Sequence, residues 1–414
     1  MDYGRLGANG SPYREFPLLV PFFPQSVRGL YALRRNWPLL RGELFRSRRL
    51  YRLVLKAPKN KRRKVFIRFY RDTYHLPLGI SHAKLYGEIS GFLRRADQFI
   101  QELVREYFVE GSRGQFTINR KVKATDDPIG LLGFCFQKTA PTDAAGRKRA
   151  FEARRKLVLA QLLYEIFISA RDDLLEYDQQ MLTRHYEKNF FTKRSEKVLV
   201  RSVHDPDNGY QTVGILPEGQ AAPPGMKVVE KPLTFRFFRG HDGQEIPVIF
   251  ESGVKTNSSH LEKMLRKGIR DPDAIIDLRR YLLVFRNRWE MDRGLRVLRE
   301  RVHCVAGVIH DHSSNIWTNG RADDANPHSS PAFRQKKFVV MLDGRRFEGM
   351  VQTLPDYLDG KYARNDKNHA LYKLRQRLSS TFPILFPAGI YGTDWKDPLV
   401  EVNLRSKFIA ENSH

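Results

Sequence analysis

Cysteine is almost missing from these 414 residues: only Cys135 and Cys304 occur, too far apart for a CxxC pair. That excludes a disulfide framework and a cysteine-built zinc set, and it fits a reducing compartment. Acidic charge is scarce as well, with 46 Asp plus Glu against 72 Lys plus Arg, a net +26. No uninterrupted apolar run reaches the ~18 residues that cross a bilayer. The early apolar stretch 17–23, PLLVPFF, is short and broken by prolines, unlike the apolar region of a leader. A soluble, cytoplasmic protein is expected, with no membrane span. Internal repeats are absent. The 22 prolines and 29 glycines are ordinary usage, which excludes a collagen-like or low-complexity chain.

What is present is enough for a core: 41% of residues are hydrophobic and 12% aromatic, in a chain long enough for two or three domains. The positive excess is concentrated early. Residues 1–100 hold 21 Lys/Arg and 6 Asp/Glu, a net +15 of the +26. A field of that sign gathers polyanions, and nucleic acid, tRNA or another RNA, is the partner it suggests for the N-terminal region; an acidic membrane surface or an acidic protein would also answer to it.

Along the chain, residues 1–50 read as an irregular basic arm. Residues 51–197 read as a basic, mixed α/β domain: two strands at Leu50–Leu55 and Lys64–Tyr70 around a basic hairpin loop, then helices over about Ser81–Val109 and Arg147–Phe190. The Pro- and Gly-rich stretch 198–231 reads as a linker. Residues 232–378 follow a different grammar. Strands at 233–238 and 246–250 flank a turn at Gly240–Gly243, and a helix is expected over Ser258–Lys267. A strand at Tyr281–Phe285, a helix over Trp289–Val302 and a hairpin of Lys337–Leu342 with Arg346–Thr353 across Asp343–Gly344 follow. A last helix spans about Asn368–Leu378, and residues 379–414 form a C-terminal extension. The order predicts an α+β or α/β fold, a small mixed sheet with flanking helices.

Three segments have residue types suited to one chemistry. Gly253–Gly268 runs from a strand through Lys255 and hydroxyls into a helix with Ser259, Lys263 and Arg266, a set able to hold phosphate oxygens; a simple helix cap is the plainer account of Ser258 or Ser259. Asp277 stands at the mouth of a strand, a rigid place for a metal. Glu348 lies in a strand between Phe347 and Met350. One carboxylate holding magnesium and a second steering a hydroxyl would suffice for phosphoryl-type transfer. A separate group, His303, His310, Asp311, His312 and His328, has the residue types of a transition-metal site, with surface histidines as the plainer account.

Taken in order, these segments resemble the synthetase domain of the RelA/SpoT family, the alarmone synthetases that transfer pyrophosphate from ATP. The resemblance is carried by Val254-Lys255-Thr256 with Ser259 and Lys263, by Asp277-Leu278, by Phe347-Glu348 with Gln352-Thr353, and by His369, Tyr372 and Lys373; it covers about residues 232–377. It implies a nucleotidyltransferase-like domain with Asp277 as metal ligand, Glu348 as metal-side catalytic base, and Lys255, Ser259, Lys263 and Arg266 on the phosphates of ATP. His369, Tyr372 and Lys373 would complete the nucleotide site. The family's Gly-Tyr-x-Ser-Leu-His stretch is absent, and Phe333 stands roughly there as a candidate for base stacking. The implied activity is a magnesium-dependent pyrophosphotransferase that moves the β,γ-pyrophosphate of ATP to a nucleotide or to an RNA hydroxyl, such as a tRNA 3′ end. The alternative is a synthetase-like protein without chemistry that binds nucleic acid or serves assembly.

Overall fold

The fold is taken from a computed structural model that describes residues 29–77, 79–136, 141–169, 172–240, 242–305, 309–310 and 334–411. It is a mixed α+β chain in two compact units: Met1–Ser169 with Asn257–Pro272 and Arg377–His414, and Ala170–Thr256 with Asp273–Gln376.

The first unit is helical in its described residues, which corrects the two strands expected at Leu50–Leu55 and Lys64–Tyr70 and, from residue 29 on, the irregular arm expected over 1–50. The two expected strands lie instead in the helices Gly29–Lys56 and Arg62–Tyr74. The physical reason is period. Leu40, Leu44, Ser47, Leu50 and Val54 are buried at three- and four-residue spacing while Leu53 and Leu55 are exposed, so a run rich in apolar residues folds at 3.6 rather than at 2. The helix expected over Ser81–Val109 is His82–Tyr107, capped by the Ser81 side chain. The helix Ala144–Ser169 is buried around most of its circumference, including Glu152, Arg154, Arg155, Lys156 and Glu165. Each of these finds a partner: Lys156 Nζ lies 2.6 Å from Asp97, Arg155 donates to the Leu385 carbonyl at 2.7 Å, and Arg154 donates to the Cys135 carbonyl at 3.0 Å. Burial pushes the Cys135 thiol up to about 12, so it packs as an inert apolar group.

The second unit is built on one mixed sheet of eight strands: β1 (Phe191–Asp205), β2 (Gln211–Leu216), β3 (Lys227–Arg239), β4 (Glu245–Val254), β5 (Arg279–Phe285), the two-residue β6 (Ile309–His310), β7 (Lys336–Leu342) and β8 (Arg345–Thr353). Their order is β2-β1-β3-β4-β5-β8-β7-β6, and β5 with β8 is the parallel pair. Stretch 198–231 is therefore not a linker. Val198 and Val200 turn into the core from β1, and the Pro/Gly cluster is confined to the connection between β2 and β3. The β7–β8 hairpin forms as expected: Asp343 and Gly344 both have positive φ, 48° and 72°, as the two-residue turn requires.

Alternation along the strands sorts two cores. Tyr281, Leu283 and Phe285 of β5, Phe338 and Val340 of β7, and Phe347 and Val351 of β8 pack on one face under the helices Asp172–Asn189 and Arg288–Val305. Val284 of β5, Ile249 of β4 and Phe235 of β3 pack on the other face against the helix Leu354–Tyr362. By the period of two, Arg280, Lys337 and Glu348 belong to this second face. No helix among the described residues is long and apolar enough to cross a membrane.

Candidate functional site

The start of β5 and the start of β8 lie side by side. Asp277 sits in the short turn Ile276–Leu278 that leads into β5 and packs against β8; Arg280, three residues on, is paired in register with Glu348. Asp277 thus stands in the turn that opens β5, and Glu348 stands on β8, the parallel neighbour of β5. Each has a lysine. Lys255, just past the end of β4, donates its backbone N–H to the Leu278 carbonyl at 2.9 Å, and this continuation of the ladder places its Nζ 2.7 Å from Asp277 Oδ2. Lys337 of β7, one pleat along from the residue opposite Glu348, brings its Nζ to 3.6 Å from Glu348 Oε1. Glu348 keeps 18% of its side chain exposed and Asp277 17%, so solvent and small ions reach both.

The helix His369–Gln376 closes on the same cluster. Asn368, buried, starts it by accepting from the Ala370 amide at 2.8 Å while donating to the Ala363 carbonyl at 2.8 Å. Desolvation by the surrounding protein, then repulsion by Lys373, Arg280, Lys337 and Lys255, pushes the His369 imidazole down to about 4. The residue is exposed to solvent, which weakens the part of desolvation and leaves the repulsion of the four cations as the cause that geometry supports. It is a neutral ring at physiological pH, within electrostatic range of cations from β5, β7, its own helix and the end of β4. Tyr372 stacks on it at 5.7 Å between ring centroids and takes a hydrogen bond from Gln376 Nε2. Two carboxylates, four cations, a neutral imidazole and an aromatic ring therefore share one neighbourhood of the second unit.

The opposite face of the same two strands is clamped. Asp178 of the helix Asp172–Asn189 is fully buried and ion-pairs with both Arg279, the first residue of β5, and Arg345, the first residue of β8. One anion thereby ties together the strand starts that carry Asp277 and Glu348. Gly349, directly after Glu348, is required by packing: a Cβ there would stand 2.5 Å from the Phe338 ring and 2.7 Å from the Tyr281 hydroxyl.

Other expected residues lie elsewhere. Ser259, Lys263 and Arg266 are half-buried in the helix Asn257–Lys267 of the first unit, where Glu262 beside them pairs with Arg377 at 2.6 Å. Phe333, Asp311, His312 and His328, and the side chains of His303 and His310, fall outside the described residues. Among the described residues, no group of three or more His, Cys, Asp or Glu gathers to hold a metal ion.

Sequence reasoning missed Arg280, Lys337 and Asp178. Strand alternation could have found the first two, because Lys337 and Glu348 fall on the face opposite Phe338 and Phe347. Asp178 had no signal; nothing local marks a helical aspartate as the partner of arginines more than a hundred residues away. The sequence matches no protein-family model and no curated protein.

Proposed function

We propose that the second unit is a nucleotidyltransferase-like domain that moves the β,γ-pyrophosphate of ATP to a hydroxyl of a nucleotide or RNA. One observation carries it: Asp277 at the opening of β5 and Glu348 on the adjoining β8, each held by a lysine, with four cations ranged about His369. Lys255, Arg280, Lys337 and Lys373 bind and align the phosphates, and neutralise the charge that grows on them as the reaction proceeds. When phosphates take over the two lysines, both carboxylates become available. Magnesium accepts one or two carboxylates completed by substrate oxygens, so Asp277 or Glu348 would hold a nucleotide-borne ion, which would offset phosphate charge. Glu348 accepts the proton of the acceptor hydroxyl. The hydroxyl oxygen bonds to the β-phosphorus, the bond between that phosphorus and the α,β-bridging oxygen breaks, and AMP leaves with that oxygen. Tyr372 and His369 offer flat, uncharged surfaces for a base.

The test is transfer of label from [γ-32P]ATP, with AMP release, to GDP, GTP, ADP, ATP or bulk tRNA. Asp277→Ala and Glu348→Ala each abolish it. If no acceptor raises AMP above background, the enzyme reading falls. A second reading, binding without chemistry, is favoured by the ion pairs that already occupy both carboxylates; it requires salt-sensitive nucleic-acid binding that survives both substitutions.

A further inference from the structure

The most one-sided charge in the molecule lies outside this site, on the helical hairpin of the first unit. Residues 41–71 contain thirteen Lys or Arg and one acid, Glu43. Glu43 is buried and already paired with Arg46, so it offsets nothing at the surface. Nine of the thirteen are arginines, which present planar forks to phosphate oxygens where lysine presents a point charge.

The helix Gly29–Lys56 sorts these residues by its period. Leu40, Leu44, Leu50 and Val54 go inward. Phe45, Arg49, Arg52 and Lys56, at i, i+4, i+7 and i+11, line the outward face, and all four are exposed, Phe45 at 63%. At 1.5 Å per residue the stripe is ~16 Å long, a length over which one nucleic-acid strand presents on the order of five phosphates. At the tip of the hairpin, Lys59, Lys61, Arg63 and Lys64 continue the exposed positive surface, and Arg63 lies over the Tyr86 ring at 4.1 Å.

We propose that this hairpin is a docking surface for RNA with unpaired bases, and that it works independently of the carboxylate site. The cations follow the phosphate backbone, and Phe45, a large exposed ring at the end of the arginine stripe, stacks on an unpaired base of the kind RNA loops supply. An anionic membrane is the poorer partner. A helix lying in a bilayer surface needs its apolar face free, and here that face is spent on the core, leaving Phe45, Leu53 and Leu55 separated around the helix.

The experiment uses the full chain and fluorescence anisotropy with a labelled RNA stem–loop, a fully paired RNA duplex and a DNA stem–loop of the same sequence, alongside co-sedimentation with phosphatidylcholine–phosphatidylserine vesicles. The stem–loop RNA binds tightest. Arg49→Gln/Arg52→Gln/Lys56→Gln weakens it at least tenfold. The same triple variant lowers the slope of log affinity against log salt by about 2 to 3, since each phosphate contact contributes ~0.7–0.9. Phe45→Ala weakens the stem–loop about tenfold and leaves the duplex unchanged. A control that removes three exposed cations of the other unit, Arg184→Gln/Lys193→Gln/Lys197→Gln, has no such effect. The proposal is overturned by absence of RNA binding, by equal loss in the control, by DNA binding as tight as RNA, or by vesicle capture in its place. All seven positions are exposed, so circular dichroism and thermal midpoint stay at wild type.

Discussion

Replacing Asp178 by alanine removes the one anion that Arg279 and Arg345 share at the starts of β5 and β8. Breaking a buried ion pair from one side costs about 3–5 kcal/mol, because the surviving charge is left without a partner. Here two guanidinium groups are left facing each other, but they keep 17% and 32% of their side chains exposed, so water partly resolvates them. The low end, about 3 kcal/mol, is expected for Asp178→Ala. Asp178→Asn, which keeps one acceptor, should lose about half as much, on the order of 1.5 kcal/mol. The loss is local to the strands the clamp holds, so the assay is amide hydrogen exchange by mass spectrometry on peptides covering residues 279–285 and 345–353. At ~1.4 kcal/mol per decade, exchange there accelerates by roughly a hundredfold in Asp178→Ala and roughly tenfold in Asp178→Asn. The comparison is the surface pair Arg194–Glu245, 3.0 Å long with 58% and 33% exposure, where Glu245→Ala costs well under ~1 kcal/mol. If both strands keep wild-type protection in Asp178→Ala, or if Glu245→Ala has as large an effect, the clamp does not hold the strand starts and the reasoning is refuted.

Three further outcomes are expected. Gly349→Ala forces a methyl group into Phe338 and Tyr281 and costs about 1–3 kcal/mol, read as a lowered unfolding midpoint; adding Phe338→Leu recovers part of it, and an unshifted midpoint would contradict the packing. His369 followed by NMR titrates well below the ordinary histidine range, Lys373→Ala or Arg280→Ala moves it up, and added pyrophosphate, which screens the same cations, moves it up too. Because the folded chain holds this ring neutral down to about 4 while the unfolded chain protonates it near 6.5, stability falls as pH drops through that window, and His369→Gln flattens the slope; an equal slope in the variant would sink the assignment.

Most strands and helices of residues 232–378 were legible in the sequence because their apolar periods are clean and their turns carry positive-φ residues, as at Asp343-Gly344 and Gly243; the helix Leu354–Tyr362 was not among them. Residue type and order along the chain mark Asp277 and Glu348 only as candidates; that the strand after Asp277 adjoins that of Glu348 is a matter of pairing. The hairpin Gly29–Lys56 with Arg62–Tyr74 was misread, because a dense apolar run carries both periods and only burial, with Leu53 and Leu55 outside and Leu50 and Val54 inside, chooses between them. The division into units, with Asn257–Pro272 and the last 38 residues joining the early helices, was also beyond local reading, since it depends on contacts between distant segments.

By itself the sequence determined the charge, the alternation that puts Lys337 and Glu348 on one face of a sheet, and the residue types a phosphate site needs. Only tertiary structure decided which strands lie together. The parallel pairing of β5 with β8 sets Arg280 level with Glu348, next to the turn that carries Asp277; Lys255 and Lys337 reach the two acids, and four cations act on His369. Strand pairing across some seventy residues is a long-range choice made by the whole core, and no local pattern encodes it.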